Sequence, residues 1–412
     1  MNSNKDALMT EPVVYPTERT DPLDPPPALL ELRERAPAWR LRYADGQVGW
    51  LVTGYALGRA LLVDGRFSVA DFMQPLGDPE VVAETDEIER GMPESDGVLI
   101  SLDPPQHTKI RRAVASYFSV RAVSEQEGAI ERIVADRLDA IEAAGAPLDL
   151  IPAFALPLSS FSICDMLGVP HADRESFERP SAVLANPRAS VAEKRAALVD
   201  FSDYCRQVVA EKRESPSDDL LGNVIAKNEL NEAEIVGLAR QLFEAGHETT
   251  ATMLALSVFT LLVERSRWES LRDDPAQIET AVEELLRYLS ILQMGTFSRT
   301  ATEDVELGDL VVKEGEKVVV SIPAANRDPE KFADPEKLDL ARNAAGHLAF
   351  GHGKHMCIGQ HLARLELRVA LHGLLERFPE LNLAVPVEEV RFLGGEHMLL
   401  GVEALPVEWR GR

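Results

Sequence analysis

Cysteine is scarce in this 412-residue chain: only Cys164, Cys205 and Cys357 occur. They are too few and too scattered to build a disulfide framework. Positive charge is also in short supply. Lys and Arg number 43 against 68 Asp and Glu, a net charge of −25. That balance argues against nucleic acid or an anionic membrane as a partner, because binding phosphate requires a positive footprint. Long apolar runs are missing too. The longest uncharged apolar stretch, Thr249 to Val263, falls short of the roughly 18 to 20 residues that a membrane span needs. The opening MNSNKDALMTEP lacks the apolar core of a signal peptide. These absences predict a cytoplasmic protein. The chain has neither repeats nor low-complexity tracts, and its 45% apolar content, with both charge signs interspersed, marks it as globular.

The first 27 residues, rich in Pro, Thr and Asp, read as an extended lead-in, and residues 28–412 as one large domain. A short β-like run, Trp50 to Thr53, passes through Gly54 into a helix. Between Ser68 and Leu99 there is little periodicity and many turn residues, and a loop of that length is usually functional or mobile. Helical periodicity then predicts helices at Pro105–Tyr117, Glu125–Ala143, Leu156–Leu167, Val191–Glu214, Glu232–Arg265, Pro275–Tyr288 and Gly359–Arg377. A small β section, Val305–Val320, turns at Gly308-Asp309. The fold class is therefore mainly α with a minor sheet.

The most informative segment is FGHGKHMCIG, Phe350 to Gly359, which leads into a strongly periodic helix. Cys357 stands at the start of that helix, where unpaired N–H groups and the positive dipole end favour a thiolate. Such a thiolate can ligate iron, and N–H donors to sulfur tune the metal. Gly351, Gly353 and Gly359 let the backbone turn tightly and approach a flat ligand. A plain alternative is a buried free cysteine. A sharper one is zinc, because His347, His352, His355, Cys357 and His361 lie close in sequence. No second ligand cluster accompanies them, as a tetrahedral site normally requires.

With Phe350, Gly353, Cys357 and Gly359 at fixed spacing, the loop resembles the haem-binding signature of the cytochrome P450 superfamily. Three further segments carry the likeness, which runs from about Tyr15 to Trp409 and is closest to soluble bacterial members that tailor secondary metabolites. Glu284 and Arg287, three apart on one helix face, resemble the family's Glu-x-x-Arg element. That resemblance implies a buried structural ion pair. The predicted helix beginning near Asn231, roughly 50 Å long, carries Ala245-Gly246-His247-Glu248-Thr249-Thr250 and resembles the family's oxygen-binding helix. It implies that Gly246 lets the helix lie close over the haem beside Ala245, that Thr249 presents a hydroxyl to the distal pocket, and that Glu248 relays protons. His107, Arg111, Arg299 and His355 fall where the family places haem-propionate partners, and a propionate held by such cations makes charge-assisted hydrogen bonds. His355 stands where Arg is commoner.

The resemblance implies the family's fold, a noncovalently bound haem b with axial thiolate, dioxygen as co-substrate, and electrons from a ferredoxin and its reductase. The expected activity is hydroxylation or epoxidation of a small apolar substrate, a macrolide or other polyketide first, with steroids or xenobiotics behind. Leu242, Ala245, Gly246, Ile291, Leu292, Met294 and Phe297, with Met92, Val98, Leu99, Met398 and Leu399, are the expected pocket wall, where Met suits irregular shapes. Lys109, Arg112, Lys354, Arg364 and Arg368 form an expected positive patch for an acidic ferredoxin. Rival readings are a nitric-oxide-reductase or peroxygenase variant, a zinc-dependent hydrolase and a helical binding module.

Overall fold

Apolar residues at three- and four-residue spacing dictate most of the architecture. In the computed structural model, which describes residues 11–43, 46–70, 88, 96–186, 188–293, 298–394 and 398–409, the predicted helices Leu156–Leu167 and Val191–Glu214 form with those bounds. The segments expected at 105–117 and 125–143 become Gln106–Val114, a tight turn Ala115–Phe118, a short helix Val120–Ser124, and Glu127–Ala144. The helix after the Cys357 loop runs Gln360–Arg377.

The longest helix spans Glu232–Val263. Its start is fixed by a reciprocal cap: the Asn231 side chain accepts from the Glu234 N–H at 2.9 Å, and the Glu234 carboxylate accepts from the Asn231 N–H at 2.8 Å. The expectation that it continues to Arg265 is corrected. Glu264 is extended, and a separate helix, Arg265–Asp273, begins after it. Arg265 anchors this corner by donating to the Leu381 and Pro379 carbonyls, and Trp268 is fully buried beside it.

Helices at Pro27–Arg35, Tyr55–Val63, Glu175–Ala185 and Leu220–Lys227 complete most of the helical part. The β part is larger than the sequence suggests. Strands β1 (Ala38–Arg42), β2 (Val48–Val52), β3 (Phe67–Ser68), β5 (Ser298–Ala301) and β8 (Lys317–Val320) form one sheet in the order β1-β2-β8-β5-β3, after β4 (Leu148–Asp149) is set aside. The pair β2–β8 is parallel and the other pairs are antiparallel. The hairpin at Gly308-Asp309 joins β6 (Val305–Leu307) to β7 (Leu310–Val312). β4, β9 (Asn382–Leu383) and β10 (Pro406–Glu408) form a small third sheet. Residues 11–26 lie against this framework: the Val13 N–H donates to the Arg40 carbonyl, and Asp24 accepts from Tyr288 and Arg327.

One core of Leu, Ile, Val and Phe joins the long helix to the helices Leu156–Leu167, Val191–Glu214, Ile278–Leu289 and Gln360–Arg377. A second core lies against the five-stranded sheet. Among the described residues no helix is long and apolar enough to cross a membrane.

Glu366, on the helix Gln360–Arg377, is 1% exposed, and one of its carboxyl oxygens has no hydrogen-bond partner. Burial pushes its pKa well above the ordinary carboxylate range, and the hydrogen bond with Ser162 opposes this. Folding therefore favours the protonated form of Glu366. A raised folded value means stability is fully present below the unfolded value, about 4.3, and falls as pH climbs toward the folded one. Glu366→Gln, which is neutral at every pH, should gain on the wild type as pH rises from 5 to 8. Urea melts across that range check this, and a constant difference would show that Glu366 titrates alike in both states.

Candidate active site

The Cys357 loop is closed by its own backbone. The Cys357 N–H donates to the Phe350 carbonyl at 2.8 Å, and the Gly351 N–H donates to the Leu348 carbonyl at 2.8 Å. Gly351 and Gly353 adopt φ of 70° and 75°, a region that side chains disfavour. The loop needs both glycines. Cys357 is deep among protein atoms, yet its side chain remains accessible within the cleft. Burial raises the thiol above its ordinary value, while the Gly359 N–H and the charges of Arg111 and Arg364 pull it down. Those three groups are what a thiolate requires.

Two arginines brace the loop from outside. Arg111 donates to the Met356 carbonyl at 2.8 Å. Arg364 stacks over the Phe350 ring at 4.5 Å and is held by the Glu283 carboxylate, with one bond of 3.1 Å. Burial alone would raise Glu283, but hydrogen bonds from His347 and Arg364 hold it down to about 2.

Beneath lies an ionic clamp. Glu284 and Arg287 are both fully buried and meet through two bonds, of 2.7 and 2.8 Å. Arg287 also donates to the Asn326 and Pro335 carbonyls at 2.8 and 3.0 Å. Arg342 joins at 3.1 Å from Glu284, and the Asp339 N–H donates to the same carboxylate at 3.0 Å. Asn326 then reaches the Cys loop: its side-chain oxygen accepts from the Leu348 N–H at 2.7 Å. Arg342 and Asn326 escaped the sequence reading because both act across many residues, with no local pattern to mark them.

On the other side of the loop His107, His355 and Arg299 lie together, with the Asp103 carboxylate close enough to act on His107 and Arg299. The rings of His107 and His355 are 4.1 Å apart, and the Nε2 atom of each is buried without a hydrogen-bond partner. Burial, then neighbouring positive groups, lowers His107 to about 4 and His355 to about 3. Arg299, held in β5 and 4% exposed, is lowered to about 10 by burial. Arg299 and Arg111 are both among the positive groups that depress His355. The four expected propionate partners therefore lie together, and Arg111 is in addition tied to the Cys loop by its bond to the Met356 carbonyl. Two imidazoles with unpartnered ring nitrogens beside a buried guanidinium fit a ligand carrying carboxylates, whose charge would raise both rings toward protonation.

The remaining expected groups lie on the long helix. Ala245 is exposed on it, and the Thr249 hydroxyl donates to the Ala245 carbonyl at 2.7 Å. Glu248 is pushed up to about 7, by burial first and by the charge of Glu244 second. Gly246 also faces the neighbouring helix. A Cβ there would lie 3.1 Å from Ile163 Cδ1, so its small size serves the contact with the helix Leu156–Leu167.

The expected pocket wall divides. Leu99 and Leu242 belong to the main core. Ile291, Leu292 and Leu399 are half-buried, Leu292 pairs with Leu399 across an antiparallel bridge, and Met398 is 47% exposed. Val98 is half-buried, and the next residue hangs from the long helix by a bond from the Leu99 N–H to Gln241 at 2.6 Å. Met92, Met294 and Phe297 lie outside the described residues, as does most of the 68–99 loop. The histidines of the zinc alternative disperse to separate partners: His347 to Glu283, His352 to Arg59, His355 to His107. Among the described residues no three His, Cys, Asp or Glu groups could hold a metal ion together.

The chain resembles known proteins over nearly its whole length. The family profile "Cytochrome P450" matches residues 268–384. Cytochrome P450 105C1 of a Streptomyces species is 41% identical over 97% of this chain and 99% of its own length. Pentalenic acid synthase of Streptomyces avermitilis is 40% identical over 97% and 98%. The crystal structure of mycinamicin VIII C21 methyl hydroxylase from Micromonospora griseorubida, bound to mycinamicin VIII, superposes with a TM-score of 0.87 at 37% identity, covering 96% of this chain and all of that one. The chain belongs to the cytochrome P450 family and has its fold. It is a monooxygenase, and the family implies a haem-thiolate iron cofactor, dioxygen and a redox partner.

The clamp gives a direct expectation. Arg287→Met would leave a fully buried carboxylate with Arg342 as its remaining cation, and removing one partner of a buried pair costs about 3–5 kcal/mol. Thermal and urea melts should show a loss of that order. A loss below roughly 1 kcal/mol, the range of a surface pair, would mean that the core does not depend on the clamp.

Proposed function

We propose that this chain binds haem b through the Cys357 thiolate and oxidises an apolar secondary metabolite. The observation that carries the reading is the set of groups around Cys357, which sits among thiolate-stabilising neighbours beside His107 and His355, whose buried Nε2 atoms have no partner. His107, His355 and Arg299 would hold the haem carboxylates, and Arg111 would steady the thiolate loop. Phe350, Gly351 and Gly359 shape that loop. When bound, haem iron with a thiolate ligand supplies reductive dioxygen activation, because the electron-rich sulfur favours O–O cleavage.

The chain's own residues supply protons and place the substrate. A carboxyl titrating near neutrality can lose and regain a proton at working pH, and Glu248 is so tuned by burial. Thr249 Oγ1 gives its proton to the Ala245 carbonyl and keeps lone pairs to accept from water or a nearby acid. Ala245, Ile291, Leu292, Met398 and Leu399 would line the apolar wall, with Leu99 and Leu242 packed into the core behind. The mycinamicin-bound neighbour and the pentalenic acid synthase support a secondary metabolite as substrate, a polyketide or macrolide first.

Electrons would come from a ferredoxin and its reductase. The expected positive docking patch is weaker than its sequence implies, because four of its five cations, all but Lys354, are engaged with carboxylates. Lys109 meets Glu234 at 2.7 Å, Arg112 meets Glu229 at 3.7 Å, Arg368 meets Glu127 at 2.6 Å, and Arg364 is held by Glu283.

Two measurements test the reading. The reduced, carbon-monoxide-bound protein should show the strongly red-shifted Soret band of thiolate ligation, and Cys357→Ser should lose it. A colourless wild type would end the proposal. Glu248 is protonated below about 7, so coupled turnover limited by proton delivery should fall as pH rises through that value. Glu248→Gln should be at least about 100-fold slower, within the range for general acid catalysis, and should lack that limb. An unchanged profile in the variant would remove Glu248 from the relay.

A further inference from the structure

The relay turn of the long helix is backed by another helix, Leu156–Leu167, through two residues four apart on one face. Ile163 fills the space left by Gly246, with its Cδ1 and Cγ1 3.1 and 3.2 Å from where a Cβ would stand. Ser159, 1% exposed, points at the same turn. Its hydroxyl has three carbonyls in range: Ala155 at 3.3 Å and Leu156 at 3.2 Å on its own helix, and His247 at 2.7 Å on the long helix. A buried serine in a helix ordinarily bonds back to its own preceding turn. Here the single hydroxyl proton goes across the interface, because the His247 oxygen is closest by half an ångström or more.

His247 is itself immobilised. It is 4% exposed, its Nδ1 lies 3.1 Å from the Phe243 carbonyl, and its ring packs edge-on against Phe177. It immediately precedes Glu248 and Thr249, so fixing its carbonyl and ring fixes the rotation of the helix at the two residues that follow. Rotation matters because side chains on one helical turn fan out by about 100° per residue. A small roll would carry Glu248 and Thr249 off the cleft together.

We infer that Ser159 is a positioning residue for proton delivery: its bond to the His247 carbonyl, with Ile163 seated on Gly246, sets the rotation at which Glu248 and Thr249 face the cleft. This rests on the reading of Glu248 and Thr249 as the relay. The neighbouring Ser160 supplies an internal control, since it is fully buried on the same helix and its hydroxyl has no hydrogen-bond partner. Ser160→Ala removes the same atom without removing a bond.

The experiment compares Ser159→Ala, Ser160→Ala and Thr249→Ala as holoenzymes. It reads product formed and peroxide released per electron pair, the pH profile of turnover, and amide exchange of the peptide spanning 245–252. Ser159→Ala should lower coupling about threefold or more, displace the pH profile and accelerate exchange in that peptide, with the carbon-monoxide difference spectrum unchanged. Ser160→Ala should match the wild type in all of these. If Thr249→Ala uncouples while Ser159→Ala behaves like Ser160→Ala, the inference fails and the relay stands. If Thr249→Ala and Glu248→Gln both remain coupled, the relay reading fails and takes the inference with it.

Discussion

A carboxylate and a guanidinium with no access to water sit at the base of this molecule. Desolvating Glu284 and Arg287 is expensive, and such a pair persists only where the remaining lone pairs and protons are also satisfied. Both oxygens of Glu284 are engaged, by Arg287, Arg342 and the Asp339 N–H, and Arg287 takes up the carbonyls of Asn326 and Pro335. Those contacts oblige residues 326–342 to wrap the end of the helix Ile278–Leu289. The wrap continues as a ladder of single bonds: Asn326 to the Leu348 N–H, the Leu348 carbonyl to Gly351, the Phe350 carbonyl to Cys357. The sulfur is thus located by an ion pair it does not touch.

What the sequence made legible was local. The capping pair Asn231 and Glu234 marks the start of the long helix, and the glycine-spaced loop marks Cys357. The three-residue spacing of Glu284 and Arg287 predicts that they can meet. That they are fully buried does not follow from spacing, nor does the third partner, Arg342, which arrives from 58 residues away. The sheet was underestimated for a similar reason. β3 and β5 are short and pair with each other from more than 200 residues apart, so alternation within them is too brief to register. Arg299 could be assigned its neighbourhood by resemblance, but its burial comes from its place in β5.

The long helix shows a second limit. Its sequence suggests a glycine that brings a backbone close to a ligand, and the structure adds a contact that the sequence does not show, Ile163 seated against the same glycine. Side chains on this helix divide by direction: Ala245 and Thr249 toward the cleft, Phe243 and His247 into aromatic packing with Phe177. Rigidity on one side lets a titrating carboxyl be held in place on the other.

The pairing of the cations around the Cys loop has a consequence for how often electrons can arrive. Adding one oxygen atom of dioxygen to a substrate, with the other leaving as water, consumes two electrons, so a one-electron donor must come, leave and be replaced within a single turnover. A surface of bare cations on a chain of net charge −25 would hold an acidic visitor well. Lys109, Arg112, Arg364 and Arg368 instead already have resident carboxylates. An incoming acid group displaces one of these rather than gaining a free charge. Displaced residents stay tethered a few ångströms away and compete to return, which favours a visit that is brief and readily repeated.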